Sequence, residues 1–194
     1  MNIISLTLII SIFVGKNSLT TANRSYLVKR DNFNVFKFSE FSIFRSEHHL
    51  AYRIKSSYAF RRKLEIIDVS TNQVVCRLTN KISLTQPGAD FSILNSTSDE
   101  WITGKILRKA GLNQKYRIKW DGNDILMKTK FNSLITTFEH EYPSGILAKF
   151  KRPFFPLIFG VEFDLQIFSN DLPDIIYFIG LVMKDQDSSA GFKG

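Results

Sequence analysis

The sequence predicts a mainly β fold: a closed antiparallel β-barrel of about twelve strands around a central hydrophobic C-terminal α-helix. Three observations predict it. Apolar and polar residues alternate with a period of two in short runs through most of the chain, which gives each strand one buried and one wetted face. The runs are joined by short turns, which suit antiparallel neighbours, since parallel crossovers need a dozen residues or more. The last apolar run carries no charge and no polar stripe, so as a helix it must be buried on every side.

The chain has 194 residues and 22.4 kDa, enough for one domain with a sizeable core. Its first stretch is read apart from that domain. Ile3 to Val14 is mostly apolar, broken only by Ser5, Thr7 and Ser11. At about twelve residues it is too short to span a bilayer, which takes ~20. The length suits the apolar region of a secretory signal, with Thr20-Thr21-Ala22 as small residues for cleavage. An N-terminal anchor or an ordinary strand is the alternative. Residues 1–22 are therefore expected to be a signal peptide, and 23–32 a short segment ahead of a barrel spanning 33–187, with 188–194 as a tail. Secretion is the expected localisation, the cytoplasmic face of a membrane the alternative.

Strands follow one another from Val35. Phe36, Phe38, Ser42 and Phe44 share one face of the first. Leu50, Tyr52 and Ile54 alternate with Ala51, Arg53 and Lys55. Leu64 to Val69 and Val74 to Leu78 flank Ser70-Thr71-Asn72-Gln73 as a hairpin-like pair. Phe91 and Ile93 mark a short strand, and Trp101 to Arg108 follows. Tyr116, Ile118 and Trp120 alternate with Lys115, Arg117 and Lys119. Asp121-Gly122-Asn123-Asp124 then turns the chain into Ile125, Met127, Thr129 and Phe131. Leu134 to Tyr142, Ile146 to Lys151 and Val161 to Ile167 complete about eleven strands of ordinary length. So many strands are best managed by closing the sheet, which removes exposed edges.

The last element has helix signals. Asp171 is a cap candidate, and Pro173 falls in the first turn, where its missing N–H costs nothing. Ile175 to Met183 is uncharged and ends at Lys184-Asp185, so the helix is expected over 172–184. A fully buried twelfth strand is the competing reading. The bore of a closed sheet grows with strand number, so a barrel of this size needs a filler. Gly180 would let the helix backbone approach a wall residue closely.

Leu64 to Val69, the turn, and Gln73 to Leu78 form an "Asp, turn, Asn/Gly, apolar" hairpin, and Asp121-Gly122-Asn123 before Ile125 repeats the unit. Together with Asp174 to Asp185 these segments resemble the tubby C-terminal-like superfamily, in its LURP-one-related branch, with the phospholipid scramblases as relatives. The resemblance covers residues 33–187. It implies a twelve-stranded barrel around a central helix, without a known catalytic site, and an association with membrane lipid. The scramblases' Cys-rich cluster is not matched, since Cys76 stands alone.

Net charge is +8, falling by one to +7 if residues 1–22 are removed, and it favours anionic partners. Lys115, Arg117 and Lys119 share one face of a strand, and Lys128 and Lys130 one face of the next. Paired as a hairpin they line up five cations, and Lys149, Lys151 and Arg152 add an outward set. Arg61-Arg62-Lys63 is a further basic run. Such a face suits phospholipid headgroups or sulfated glycans. Its bland counterpart is a solvated barrel exterior, where Lys is common. Aromatics do not interleave with these cations, which argues against nucleic-acid stacking. The Phe-rich Arg152-Pro153-Phe154-Phe155-Pro156 loop leaves a protein partner open.

Other chemistry is poorly supported. Glu139-His140-Glu141 splits its ligands across two strand faces, as does His48-His49, so no metal site is expected. No nucleophile elbow, phosphate loop or HExxH helix is present in the sequence, and neither an enzyme nor a cofactor is expected. Cys76 sits among Val74, Val75 and Leu78 and reads as a buried thiol, with an intermolecular disulfide as the alternative. In a secreted chain Asn95-Ser96-Thr97 and Asn23-Arg24-Ser25 are glycosylation sequons, with Asn95 and Asn23 as acceptors.

Overall fold

The computed structural model describes residues 22–31, 39–46, 48–57, 63–81, 88–109, 115–130, 133–141, 145–152 and 161–190. Among them are twelve strands: β1 (Arg24–Arg30), β2 (Phe41–Ser46), β3 (His49–Ser57), β4 (Lys63–Asp68), β5 (Gln73–Lys81), β6 (Gly88–Asn95), β7 (Glu100–Lys109), β8 (Lys115–Trp120), β9 (Asn123–Thr129), β10 (Ile135–His140), β11 (Ile146–Lys151) and β12 (Glu162–Ile167). One helix follows, α1 (Ile175–Ala190). Every strand pairs antiparallel with its chain neighbours, and β1 pairs with β12 to close the barrel. Closure leaves no sheet edge unpaired.

The period-two alternation becomes an inside and an outside. On β12, Phe163, Leu165 and Ile167 point inward and are buried, while Glu162, Asp164 and Gln166 line the exterior. Tyr116 and Ile118 on β8 and Ile125 and Met127 on β9 do the same. The Asp121-Gly122 turn joins those two strands with positive φ at both residues (46° and 73°), the conformation whose twist matches a hairpin.

Two sequence expectations need correction, and a third gains its side. The segment 23–32 does not precede the barrel: Arg24–Arg30 is its closing strand, hydrogen-bonded to both β2 and β12. Its alternation is hidden because Leu27, between the buried Tyr26 and Val28, is apolar but faces out. On β2, Ser42 and Phe44 do share a face, but it is the outer one; Phe41 and Ile43 fill the core, and Phe36 and Phe38 lie outside the described residues. The helix begins at Ile175 rather than at 172, and it continues to Ala190, beyond both 184 and the expected barrel end at 187.

The extension has a physical cause. The charged residues after the apolar run find partners at the barrel mouth. Lys184 Nζ donates to Thr129 Oγ1 at 2.7 Å, and Arg30 lies 3.2 Å from the buried Asp185 carboxylate. Asn80 Nδ2 donates to Gln186 Oε1 at 3.4 Å. At the other mouth Asp174 is held by Arg24 at 2.8 Å and by the Tyr26 hydroxyl at 2.5 Å. The last helix is thus tied to the first strand at both ends.

Between these anchors every residue from Ile175 to Met183 is buried. Such burial is worth on the order of 15 kcal/mol gross, at ~1.5–3 kcal/mol for each larger side chain. Phe178 meets Tyr26 edge to face at 5.2 Å, and Tyr177 meets Phe138 in the same way at 5.2 Å. Gly180 faces Phe138: a Cβ there would sit 2.5 Å from the Phe138 ring and 2.8 Å from Met127 Sδ.

Gly180→Ala will therefore lower stability. Overpacking costs about 1–3 kcal/mol, against the ~1 kcal/mol of helix propensity that Ala returns. A urea midpoint equal to or above the parent's would refute the close approach. A second outcome concerns pH. Burial, together with the Asp174 carboxylate that accepts its O–H, pushes the Tyr26 hydroxyl up to about 12 from an ordinary 10.0. Burial raises Tyr52 and Tyr177 as well. The fold favours the neutral phenols, so this contribution is complete below pH 10 and is lost as pH rises from about 10 to 12. Urea midpoints measured across that window should fall steeply.

Candidate anion-binding surface

Strand direction sets the two rims of the barrel. Tight turns such as 121–122 gather at the rim near the start of α1, whereas Arg30, Lys109, Thr129 and Lys151 end their strands at the opposite rim, beside Lys184 and Asp185. The register of β7 to β11 arranges the outer face in rows parallel to the rims. Nearest the second rim, Ile135 opposes Lys151, with Lys130 just past β9. The next row runs Lys109, Lys115, Lys128, Thr137, Lys149 across five strands. Further down come Arg117, Leu126 and Glu139, then Lys119 and Asp124 with Glu141 beside them.

Seven of the eight sequence-predicted cations share one curved exterior, where they separate into two groups, whereas Arg152 alternates with Lys149 and Lys151 and does not join their outward set. Arg117 is ion-paired with Glu141 and lies 3.4 Å from Asp124. Lys119 lies 3.3 Å from the same Asp124, and Lys128 lies 2.5 Å from Glu139. These three are neutralised, so the expected five-cation hairpin face is not uniformly basic. Lys115, Lys130 and Lys151 are exposed and have no acidic partner among the described residues. Lys149 Nζ lies 5.4 Å from the Phe168 ring centroid. Arg152 is half-buried, its backbone N–H donates to Leu134 O at 3.0 Å, and its Nε is buried without a partner.

What remains is a belt near the second rim: Lys109, Lys115, Lys130, Lys149 and Lys151. Ile135 stands in it, 44% exposed among the cations. A cleft of about 480 Å³ adjoins the belt, lined by Ile135, Lys149, Lys151, Arg45, Ser25 and Gln166 among others. Lys109 and Ile135 were not singled out from sequence, although Lys109 opposes Lys115 across β7 and β8. The neutralising role of Glu139 and Glu141 was also missed, because the acids come from β10 and just beyond it while most of their cations come from β8 and β9.

The other candidates are placed as follows. Asn95 opens the β6–β7 turn, and its Oδ1 accepts the Thr97 N–H at 3.0 Å. Asn23 is exposed, and its Nδ2 donates to Phe168 O at 2.9 Å. His140 lies 3.8 Å from Asp171, apart from the ion-paired Glu139 and Glu141. Residues 1–21, Arg61, Arg62 and the loop residues 153–156 lie outside the described residues. Comparisons with protein-family models, with curated proteins and with solved structures give no match.

Cys76 is fully buried on β5, and burial raises its thiol well above the ordinary value. A thiol reagent should leave the native protein unlabelled and label one site only after denaturation. Stoichiometric labelling of the native state would contradict this burial.

Proposed function

We propose that this chain is a non-enzymatic, secreted, tubby-like barrel of the LURP-one-related kind that binds anionic surfaces, phospholipid headgroups or sulfated glycans, through its lysine belt. The twelve-strand closure around a C-terminal helix is the architecture that the resemblance calls for. The single observation carrying the binding reading is the belt itself. Five lysines on β7, β8, β11 and the end of β9 surround one exposed isoleucine, while Asp124, Glu139 and Glu141 are spent on Arg117, Lys119 and Lys128, and Asp164 opposite Lys151 is the one acid facing the belt from β12. Cations attract an anionic surface from a distance, and a protruding apolar side chain adds contact once the surface is reached. The bore is filled by α1, which leaves the exterior for recognition.

A protein-interaction module is the second reading, favoured by the two exposed isoleucines, Ile135 at 44% and Ile146 at 46%. Cosedimentation with anionic vesicles and retention on heparin, each over a salt series, separates the two. Replacing Lys115, Lys130 and Lys151 together by Gln should weaken binding by about 3 kcal/mol, roughly a hundredfold, at ~1 kcal/mol per cation near the surface. Glu139→Gln, which releases Lys128, should strengthen it. Binding indifferent to salt and to the triple replacement would overturn the proposal.

A further inference from the structure

Antiparallel connectivity sends every strand from one rim to the other, so each strand gives one end residue to each rim. At the second rim, where Arg30 meets Asp185, the strand ends include Arg30, Lys63, Lys109, Lys115 and Lys151, with Lys130 one residue past β9. At the first rim the strand ends and the turns between them carry Asp68, Asp99, Glu100, Asp121, Asp171 and Asp174 against Arg24 and Arg45. The barrel is thus polarised along its axis, basic at one mouth and acidic at the other.

The basic rim is wider than the lysine belt. In the order of strands around the barrel β4 lies opposite β10, so Lys63 stands across the mouth from Ile135. Lys63 is exposed, has no ion pair among the described residues, and faces Ser57 and Thr79 on the neighbouring strands. A twelve-strand barrel is roughly 24 Å across, from a strand spacing of ~4.8 Å and a tilt of about 40°. The acids nearest this rim gather beside β1 and are engaged there. Glu162 meets Lys29 at 3.0 Å, Asp185 meets Arg30 at 3.2 Å, and Asp31 accepts the Ser42 hydroxyl at 3.1 Å. Glu65, Asp90 and Asp164 each lie one outward row further in along their strands.

We infer that the barrel docks end on, its second rim against an anionic lipid bilayer and its axis near the membrane normal. The inference rests on the anion-binding reading above and gives it a pose and one partner. A plane meets cations on opposite sides of the mouth at once, whereas a sulfated glycan chain laid along the belt reaches one arc of them. The axial charge separation also turns the barrel before contact, because the surface that attracts the basic rim repels the acidic one. Under this pose Lys63, on the far side from the belt, contributes as a belt lysine does. Under side-on docking it faces away from the membrane and contributes nothing.

The test uses the full chain with heparin resin and with phosphatidylcholine vesicles containing about 30% phosphatidylserine. Lys63→Glu should weaken vesicle binding at least about fivefold, the worth of one cation near the surface. Adding Glu100→Lys at the first rim restores the net charge and should not restore binding. Lys63 and Glu100 are exposed strand ends, and urea midpoints near the parent's separate lost binding from lost folding. An environment-sensitive fluorophore on Ser57→Cys, at the second rim but away from the belt, should brighten with these vesicles. The same fluorophore on Thr71→Cys at the first rim should not, and the buried Cys76 stays unlabelled. The inference is overturned if Lys63→Glu binds like the parent, or if Glu100→Lys rescues it, so that only net charge matters. If the Ser57 label stays dark while the Lys115, Lys130 and Lys151 replacements still weaken binding, docking is side on and the anion-binding reading survives alone. Retention on heparin without vesicle binding also overturns the inference and leaves a glycan as the belt's partner. Indifference to both probes removes the anion-binding reading itself.

Discussion

The contact on which the rest of the structure depends is the one between α1 and the wall of the barrel. A closed sheet of twelve strands encloses a bore that side chains from the strands alone do not fill. The uncharged run Ile175 to Met183 supplies the missing volume and has no face that tolerates water. Each element therefore requires the other. Phe138 lies against Gly180 and Tyr177, and Tyr26 and Tyr52 lie against Phe178, so the wall is shaped to this rod and not to a generic core.

A rod with an apolar surface all round has little to fix its depth along the axis. Polar contacts at the two mouths do that. Arg24 and Tyr26 hold Asp174 at one end, and Arg30, Thr129 and Asn80 hold Asp185, Lys184 and Gln186 at the other. Burying such pairs adds modest net stability, because desolvation offsets the attraction. Their value lies in position, since sliding the helix by one turn would leave a charge unpaired inside the barrel. Both sets draw on β1, so the first strand and the last element are interdependent.

With the interior occupied, specificity resides on the outside, and there charge is sorted by row. Acids from β9, β10 and just past β10 neutralise Arg117, Lys119 and Lys128, while Lys109, Lys115, Lys130, Lys149 and Lys151 nearer the second rim have no ion pair among the described residues. On the same exterior Lys105 stands between Asp90 and Lys119, and Lys119 in turn meets Asp124. Closing the barrel imposes the register that sets these lateral neighbours.

Much of this was legible from residues in order. Period-two alternation in Val161 to Ile167 and Lys115 to Trp120 reports which side chain faces in, because the pleat turns successive residues to opposite faces. The absence of any polar residue able to face water in Ile175 to Met183 dictates a buried helix. The Asp121-Gly122 turn is visible because few residue pairs accept two positive φ angles. Other features arise only when distant segments meet. Arg24–Arg30 looks like a charged leader until β12 and β2 pair with it. Lys119 and Lys128 look alike in sequence to Lys115 and Lys130, yet Asp124 and Glu139 neutralise the first two and leave the others exposed. Local sequence thus determined which residues alternate, turn and bury. Charge balance and recesses depend on lateral neighbours from different strands, and only closure of the barrel decided those.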